Sequence, residues 1–231
     1  VPLPHGARWV ARDIPRHVVV RGGGQVAAEL IDRLSKIGTY ASRAEEADPE
    51  SGAEDCVLVD LTQIGPLPEN GRPIDEISLS AWLEFGFLGP LDVVRRLRPA
   101  TLFLVTRGLW PVTPGDRPAA PSSGIVGIAR CAPHDWPGMR TRLVDLSANE
   151  DGVGDVDAIL AELASSEERD IAYRGTIRYR RSYELTTPAG PSRLRRGGTY
   201  LVLGGTGRLG AVVAEAISRE VDATVVLVGR N

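Results

Sequence analysis

The sequence predicts an α/β fold built on a mostly parallel β-sheet, and three observations lead to this class. Short apolar segments of strand length alternate along the chain with segments whose apolar residues recur at helical spacing. Two of the strand segments, residues 55–61 and 101–106, are apolar almost throughout, as is typical of parallel strands covered on both faces. Glycine-rich turns follow the strands at residues 17–20 and 199–203 and open the next helices.

Most of the predicted elements lie in the first 185 residues. The strands expected there are residues 8–11, 17–20, 55–61, 101–106 and 142–146, followed by a hairpin over residues 171–183. The expected helices are residues 25–37, 80–97, a third that ends near Arg130, and 155–164. Gly89-Pro90 should kink or split the second helix, and Ser122 or Ser123 can cap the third. Polar loops rich in Glu, Asp and Pro are expected after the first helix and after residue 63.

A Pro-, Gly-, Ser- and Arg-rich segment, TPAGPSRLRRGG, divides the chain. We therefore expect a first domain over residues 1–190, a linker over 191–197 and the start of a second domain over 198–231. The second domain begins with a strand at 199–203, a helix at 208–219 and a strand at 223–228. One βαβ unit of about 30 residues cannot bury both of its faces, and the sequence starts at Val1 without Met. We expect the sequence to be a piece of a longer polypeptide.

Composition excludes several classes of protein. The apolar and charged fractions, 42% and 25%, are those of an ordinary globular protein rather than a disordered one. A net charge of −3 gives no attraction to nucleic acid or to an anionic membrane. No apolar run approaches the roughly 20 residues of a membrane span, and no secretory signal is visible. Cys56 and Cys131 stand alone, which predicts a reduced, cytoplasmic setting and no metal site.

The second glycine turn carries the pattern Gly205-x-Gly207-x-x-Gly210 between a strand and a helix. This is the context that a dinucleotide-binding Rossmann fold requires. The first glycine permits the tight turn, the second lets the backbone approach the pyrophosphate, and the third lets helix and strand pack closely. Arg230 follows the next strand, where NAD enzymes place a carboxylate for the ribose, so a 2′-phosphate and therefore NADP(H) are favoured. Arg208, inside the turn, either assists or is simply exposed.

The first glycine turn, Gly22-Gly23-Gly24, also fits the shorter pattern GxGxxA, which ends at Ala27. The nearest acidic residue that ends a predicted strand is Asp60, well beyond the spacing of about 20 residues that ribose binding needs. A strand-to-helix turn needs glycine whether or not a phosphate is present. We expect this first turn to bind no cofactor.

Taken in order, several segments resemble the ketoreductase domains of type I modular polyketide synthases and related fatty acid synthases, within the short-chain dehydrogenase superfamily. The resemblance implies two Rossmann-like halves, a structural half without cofactor and a half that uses NADPH to reduce a β-ketoacyl thioester on an acyl carrier protein. It also implies neighbouring synthase domains, the rest of the catalytic half and a homodimeric synthase as partners. The matching segments are ATLFLVTRG (100–108), SGIVGIARCAPHDWPGMRTRLVDL (123–146), AYRGTIRYRRSYEL (172–185), GTYLVLGGTGRLG (198–210) and VLVGR (226–230).

The resemblance assigns cofactor contacts to nine positions and catalytic residues to none. Leu203 departs from the threonine usual in the family, which removes a local hydroxyl but leaves the loop backbone unaffected. None of the five tyrosines begins a Tyr-x-x-x-Lys or Tyr-x-x-x-Asn pattern, so the family's catalytic residues are expected beyond this chain and this stretch alone should be inactive. The nine cofactor positions are Gly204, Gly205, Thr206, Gly207, Arg208, Leu209, Gly210, Gly229 and Arg230.

Two other hypotheses stay open beside an active ketoreductase. One is a pseudo-ketoreductase that keeps the fold as a scaffold of the synthase and catalyses nothing. The other is a free-standing short-chain dehydrogenase or epimerase, which the roughly 200 residues before the second glycine turn disfavour. Catalytic Ser, Tyr and Asn or Lys in the following hundred or so residues would separate the first two.

Overall fold

The structure is a computed structural model that describes residues 2–3, 13–48, 55–65, 80, 83–116, 120–148, 154–165, 170–186, 190 and 193–229. The chain forms two compact units, Val1–Ser182 and Tyr183–Asn231. The strands are β1 (Pro2–Leu3), β2 (His17–Arg21), β3 (Tyr40–Arg43), β4 (Val57–Gln63), β5 (Thr101–Arg107), β6 (Arg140–Leu146), β7 (Ile171–Arg174), β8 (Ile177–Arg180), β9 (Thr199–Leu203) and β10 (Thr224–Val228). The helices are α1 (Gly24–Lys36), α2 (Gly89–Leu97), α3 (Gly124–Asp135), α4 (Asp155–Leu163) and α5 (Arg208–Val221).

The first unit contains an eight-stranded sheet in the order β1-β8-β7-β6-β5-β4-β2-β3. The six strands from β3 to β7 in this order are parallel, and β8 and β1 close one edge in antiparallel pairing. The predicted α/β class with a parallel sheet is confirmed. From β2 the chain moves outward to β3 and then returns to the other side of β2 to form β4. The strand order therefore reverses between β2 and β4, which makes that crevice the topological switch point of the sheet.

The core lies on both faces of this sheet. Helices α1 and α4 cover one face and helices α2 and α3 cover the other. Within β2, Val18 and Val20 point to the first face and Val19 to the second, and all three are completely buried. Burial on both faces explains why the central strands are apolar without alternation.

Strand β3 is an element that the sequence did not reveal. Its residues Tyr40–Arg43 fall where a polar loop was expected, and only Ala41 among them is aliphatic. The strand lies at the edge of the sheet, in register with His17–Val20 of β2. Backbone hydrogen bonds to a neighbour hold an edge strand of this kind, so it needs no apolar pattern of its own.

The helices differ from the prediction at two ends. A π-helical turn, Glu84–Leu88, runs directly into α2 at Gly89-Pro90. Leu88 and Gly89 keep helical backbone angles, so the expected split is not found and the helix changes from π to α at this point. Helix α3 continues to Asp135 instead of ending near Arg130. The expected serine cap of α3 is wrong: Ser123 makes no side-chain capping bond, because its backbone is already helical instead of extended.

The second unit is a single βαβ arrangement. Strands β9 and β10 pair in parallel, and α5 connects them. Helix α5 places Ala214 and Val221 in buried positions, whereas Leu201 and Leu203 of β9 stay largely exposed. Within the ranges that the structure describes, no helix is both long and apolar enough to cross a membrane.

Candidate functional site

The glycine turn of the second unit is a compact loop of four residues between β9 and α5. Gly204 has φ of +76°, a value that favours glycine, and Gly207 is the extended residue immediately before the helix. The amide groups of Gly204 and Gly205 donate to the carbonyl of Val228 at 2.7 and 3.0 Å. The Gly207 amide donates to the Gly204 carbonyl at 2.9 Å. These bonds fix the loop against the end of β10.

Close packing leaves no room for a side chain at two of the motif glycines. A Cβ on Gly210 would overlap the carbonyl of Gly204 and lie 2.7 Å from the Cα of Gly205. A Cβ on Gly205 would lie 2.8 Å from the carbonyl oxygen of Val202. The first turn of α5 therefore rests directly on the loop backbone, which is the geometry that a dinucleotide fingerprint needs. Gly207 is less constrained, because its Cβ would lie 3.2 Å from the Gly204 carbonyl.

Thr206 connects the loop to the end of β10. A Cβ on Gly229 would fall on the Oγ1 atom of Thr206, so the threonine side chain covers the backbone that follows β10. The end of β10 and the glycine loop therefore form one surface. Arg230, the residue predicted to select a 2′-phosphate, lies outside the described residues.

The amino end of α5 supplies the electrostatics of this surface. The helix has 14 residues, and its first turn contains no acidic residue. The unpaired amide groups and the positive end of the helix dipole favour an anion there. Arg208 begins the helix, and Leu209 beside it is 78% exposed. This arrangement can hold a pyrophosphate group, but it supplies no acid or base.

The first glycine turn, between β2 and α1, differs from the second in its length and in its contacts. Only Gly22 and Gly23 separate β2 from α1, whereas four residues separate β9 from α5. A Cβ on Gly22 would lie 3.1 Å from the backbone of Leu61, so this turn packs against the end of β4. Arg43 Nη1 donates to the Gly22 carbonyl at 2.6 Å and ties the turn to β3.

Buried ion pairs line the carboxyl edge of the first sheet. Three arginines, each the last residue of its strand, pair there with buried or partly buried carboxylates. Sequence reasoning identified Asp60 as a strand-end residue but missed the arginine partners, although arginine at the end of three strands was the available signal. The pairs are Arg21 with Asp60, Arg107 with Asp155, and Arg174 with both Asp145 and Asp116.

Asp145 organises the segment of residues 108–116. Its carboxylate accepts the Thr106 hydroxyl at 2.8 Å and the amide groups of Leu109 and Trp110 at 2.7 and 3.1 Å. Arg174 Nη2 donates to the same carboxylate at 2.8 Å. Asp145 is completely buried, so each of these donors replaces water.

Asp116 fixes the far end of the same segment. It accepts the amide groups of Val112 and Thr113 at 2.8 and 3.0 Å and the Nε of Arg174 at 2.8 Å. Burial acts to raise the pKa of Asp116, but these hydrogen bonds outweigh it and hold the pKa well below its usual range. Asp116 therefore stays ionised throughout the neutral range.

No catalytic constellation emerges among the described residues. The Tyr173 hydroxyl donates to Glu162 at 2.7 Å, and burial together with the Glu162 charge raises the pKa of Tyr173. A tyrosine held in this way is a structural donor instead of a proton source. Within the described ranges no group of three or more His, Cys, Asp and Glu side chains is placed to hold a metal ion.

Comparison with known proteins places the fold. No protein family model matches the chain. A stretch of 140 residues, 58% of the chain, is 35% identical to a subunit of the phenolphthiocerol/phthiocerol polyketide synthase of Mycobacterium tuberculosis, and the match covers 8% of that subunit. The structure of the first ketoreductase of the tylosin PKS matches 91% of the chain and 48% of its own chain, with a TM-score of 0.61 and 24% identity. A keto acid-selecting NRPS module with adenylation, ketoreductase and pseudo Asub domains matches 100% of the chain and 22% of its own, with a TM-score of 0.68 and 16% identity.

Both solved structures are less than 25% identical to this chain, so the comparison with them shows a shared fold. Together with the sequence similarity to a polyketide synthase, they confirm the resemblance to ketoreductase domains of modular synthases that the sequence indicated.

Proposed function

We propose that this chain, which has the ketoreductase fold, is the structural half and the opening βαβ unit of a ketoreductase domain in a modular polyketide synthase. The complete domain would reduce a β-ketoacyl thioester on an acyl carrier protein to the β-hydroxyacyl thioester with NADPH. The glycine turn between β9 and α5 is the observation that supports this most strongly, because its close packing sets the amino end of α5, with its unpaired amide groups, directly on the loop, where a pyrophosphate would bind. Residues 1–190 would be the structural half, 191–197 the linker and 198–231 the start of the cofactor-binding half.

The residues of this chain would bind and orient the cofactor. The backbone from Gly204 to Gly210 would hold the pyrophosphate, and Arg230 would pair with the 2′-phosphate. When bound, NADPH supplies the hydride for the ketone carbon. Proton donation to the ketone oxygen would come from residues beyond this chain, since none of its tyrosines has the required pattern.

The same proposal includes the partners and the location. Neighbouring synthase domains and the acyl carrier protein would deliver the substrate, and the parent synthase would be a cytoplasmic homodimer. The relatives that match are components of large synthases, which supports neighbouring domains. The net charge of −3 does not favour nucleic acid as a partner.

The 231-residue chain alone should show no ketone-dependent oxidation of NADPH with a β-ketoacyl thioester surrogate. A positioned proton donor contributes about 10²–10⁴-fold to such a reaction, and cofactor binding cannot replace it. The measurement is NADPH absorbance over time, with the complete domain of the parent synthase as the control. Turnover by the 231-residue chain would overturn the assignment of catalysis to later residues. A complete domain that binds NADPH but does not oxidise it would support the scaffold hypothesis instead.

In the complete domain, Arg230→Asp should weaken NADPH binding tenfold or more and improve the relative affinity for NADH. A charge-assisted hydrogen bond to the 2′-phosphate contributes about 1.5–3 kcal/mol, and the aspartate would add repulsion. Equilibrium titration of both cofactors measures the preference. Arg196→Asp is the matched control, because Arg196 is an exposed arginine before β9, at the opposite end of that strand from the glycine loop. If the two variants prefer NADPH over NADH to the same degree, Arg230 does not determine the choice between the two cofactors.

A further inference from the structure

The switch point of the first sheet lies between the carboxyl ends of β2 and β4. In open α/β sheets this crevice is where ligands bind. In the first unit it is bordered by Arg21, the last residue of β2, and by Asp60, its register partner on β4. Both residues are almost completely buried, at 7% and 1% exposure. The crevice is thus filled by groups that belong to the protein.

Arg21 forms hydrogen bonds to the polar side chains that border the crevice on β4. Its Nη1 donates to the Asp60 carboxylate at 2.9 Å and to the Thr62 hydroxyl at 3.2 Å. The other oxygen of Asp60 accepts the Thr62 amide at 3.0 Å and the Thr62 hydroxyl at 2.5 Å. Burial raises the pKa of Asp60, and the Arg21 charge and the Thr62 bonds oppose that rise. The buried carboxylate is therefore satisfied on both oxygens.

The start of α2 lies directly on the guanidinium. A Cβ on Gly89 would fall on Nη2 of Arg21 and lie 2.9 Å from its Cζ. Gly89 follows the π-helical turn, and its amide donates to the Glu84 carbonyl. A π-helical turn is wider than an α-helical one and is an uncommon feature. The turn and the missing side chain together leave space for the guanidinium.

We propose that the Arg21 guanidinium is a built-in occupant of the switch point of the first sheet, and that Gly89 is glycine because of it. The cation takes the position of a ligand, Asp60 and Thr62 bind it, and α2 covers it. The two-residue turn at Gly22-Gly23, tied to Arg43, leaves no cofactor loop at the same point. This inference concerns residues 1–182 only and does not depend on the reductase function proposed for the complete domain.

A double-mutant cycle on the full 231-residue chain tests the proposal. All four tryptophans precede residue 183 in the sequence, and Trp110 and Trp136 lie in described parts of the first unit, so tryptophan fluorescence reports its thermal unfolding. Gly89→Ala should lower the Tm by roughly 2–12 °C, as expected for overpacking of a buried site in a unit of this size. In the Arg21→Ala/Asp60→Ala background, which removes both charges of the buried pair, the same change should lower the Tm by less than about 1 °C or raise it, because alanine is the better helix former.

Gly127→Ala is the matched control, because Gly127 also lies in a helix and a Cβ placed on it would have no atom within 4 Å apart from the adjacent backbone of that helix and its chain neighbours. It should leave the Tm nearly unchanged or raise it in both backgrounds. If Gly89→Ala lowers the Tm equally in both backgrounds, or does not lower it in the natural chain, the proposal is overturned. If Gly89→Ala alone yields no folded protein, a folded triple variant supports the proposal by rescue, and a triple variant that also fails overturns it.

Discussion

Asp145→Ala should lower the free energy of unfolding of the first unit by about 3–5 kcal/mol, the range for breaking a buried ion pair from one side. Asp145 is completely buried and binds the Thr106 hydroxyl, two backbone amide groups and Arg174. Its removal leaves the Leu109 and Trp110 amide groups without their acceptor, and each unsatisfied buried donor costs about 1–3 kcal/mol. Asp116 still pairs with Arg174, which keeps the loss from being larger.

Urea unfolding followed by tryptophan fluorescence measures this change, since Trp110 lies in the segment that Asp145 holds. Asp157→Ala is the matched control, because Asp157 also pairs with an arginine, Arg33 at 2.7 Å, but is 67% exposed. The control should cost less than about 1 kcal/mol. Similar decreases in the free energy of unfolding for the two variants would show that the stabilisation by Asp145 does not depend on its burial.

Gly210→Ala should weaken NADPH binding to the complete domain about 100-fold or more. A Cβ at this position overlaps the Gly204 carbonyl, so α5 must move away from the loop. That movement separates the helix end from the loop amide groups, and the loss of two charge-assisted hydrogen bonds of about 1.5–3 kcal/mol each gives this factor. Equilibrium binding measured by NADPH fluorescence, with the tryptophan signal as a check of folding, gives the result.

Alanine substitutions at two other glycines serve as comparisons for Gly210→Ala. Gly207→Ala should have a smaller effect, because its Cβ would lie at 3.2 Å from the Gly204 carbonyl instead of overlapping it. Gly127→Ala should leave NADPH binding unchanged, because nothing lies near its side-chain position. A Gly210→Ala domain that is folded and binds NADPH like the parent would exclude this loop as the pyrophosphate site.

The sequence predicted the fold class, the order of the central strands along the chain and the two glycine turns. These features depend on neighbours within a few residues. A parallel strand buried on both faces must be apolar, as at residues 101–106, and a positive φ after a strand requires glycine, as at Gly204. The nine cofactor positions came from the glycine pattern together with the resemblance to ketoreductase domains, and they remain a prediction.

Two local predictions were incomplete for the same reason. Strand β3 was missed because an edge strand is held by backbone bonds to β2 and not by an apolar pattern of its own. The serine cap of α3 was wrong because the preceding turn, Ala120–Ser123, keeps Ser123 in a helical conformation. In both cases the conformation is set by what surrounds the segment.

Only the tertiary structure decided how the charged residues are used. Arg21, Arg107 and Arg174 occur at unrelated positions in the sequence, and their carboxylate partners lie 29 to 58 residues away. The sheet brings the ends of these strands to one edge, where loss of water makes each pairing necessary. The need for glycine at position 89 likewise arises from Arg21, on another element. Local patterns can be predicted from the sequence because they act through adjacent residues, whereas desolvated contacts between distant segments exist only once the chain has folded.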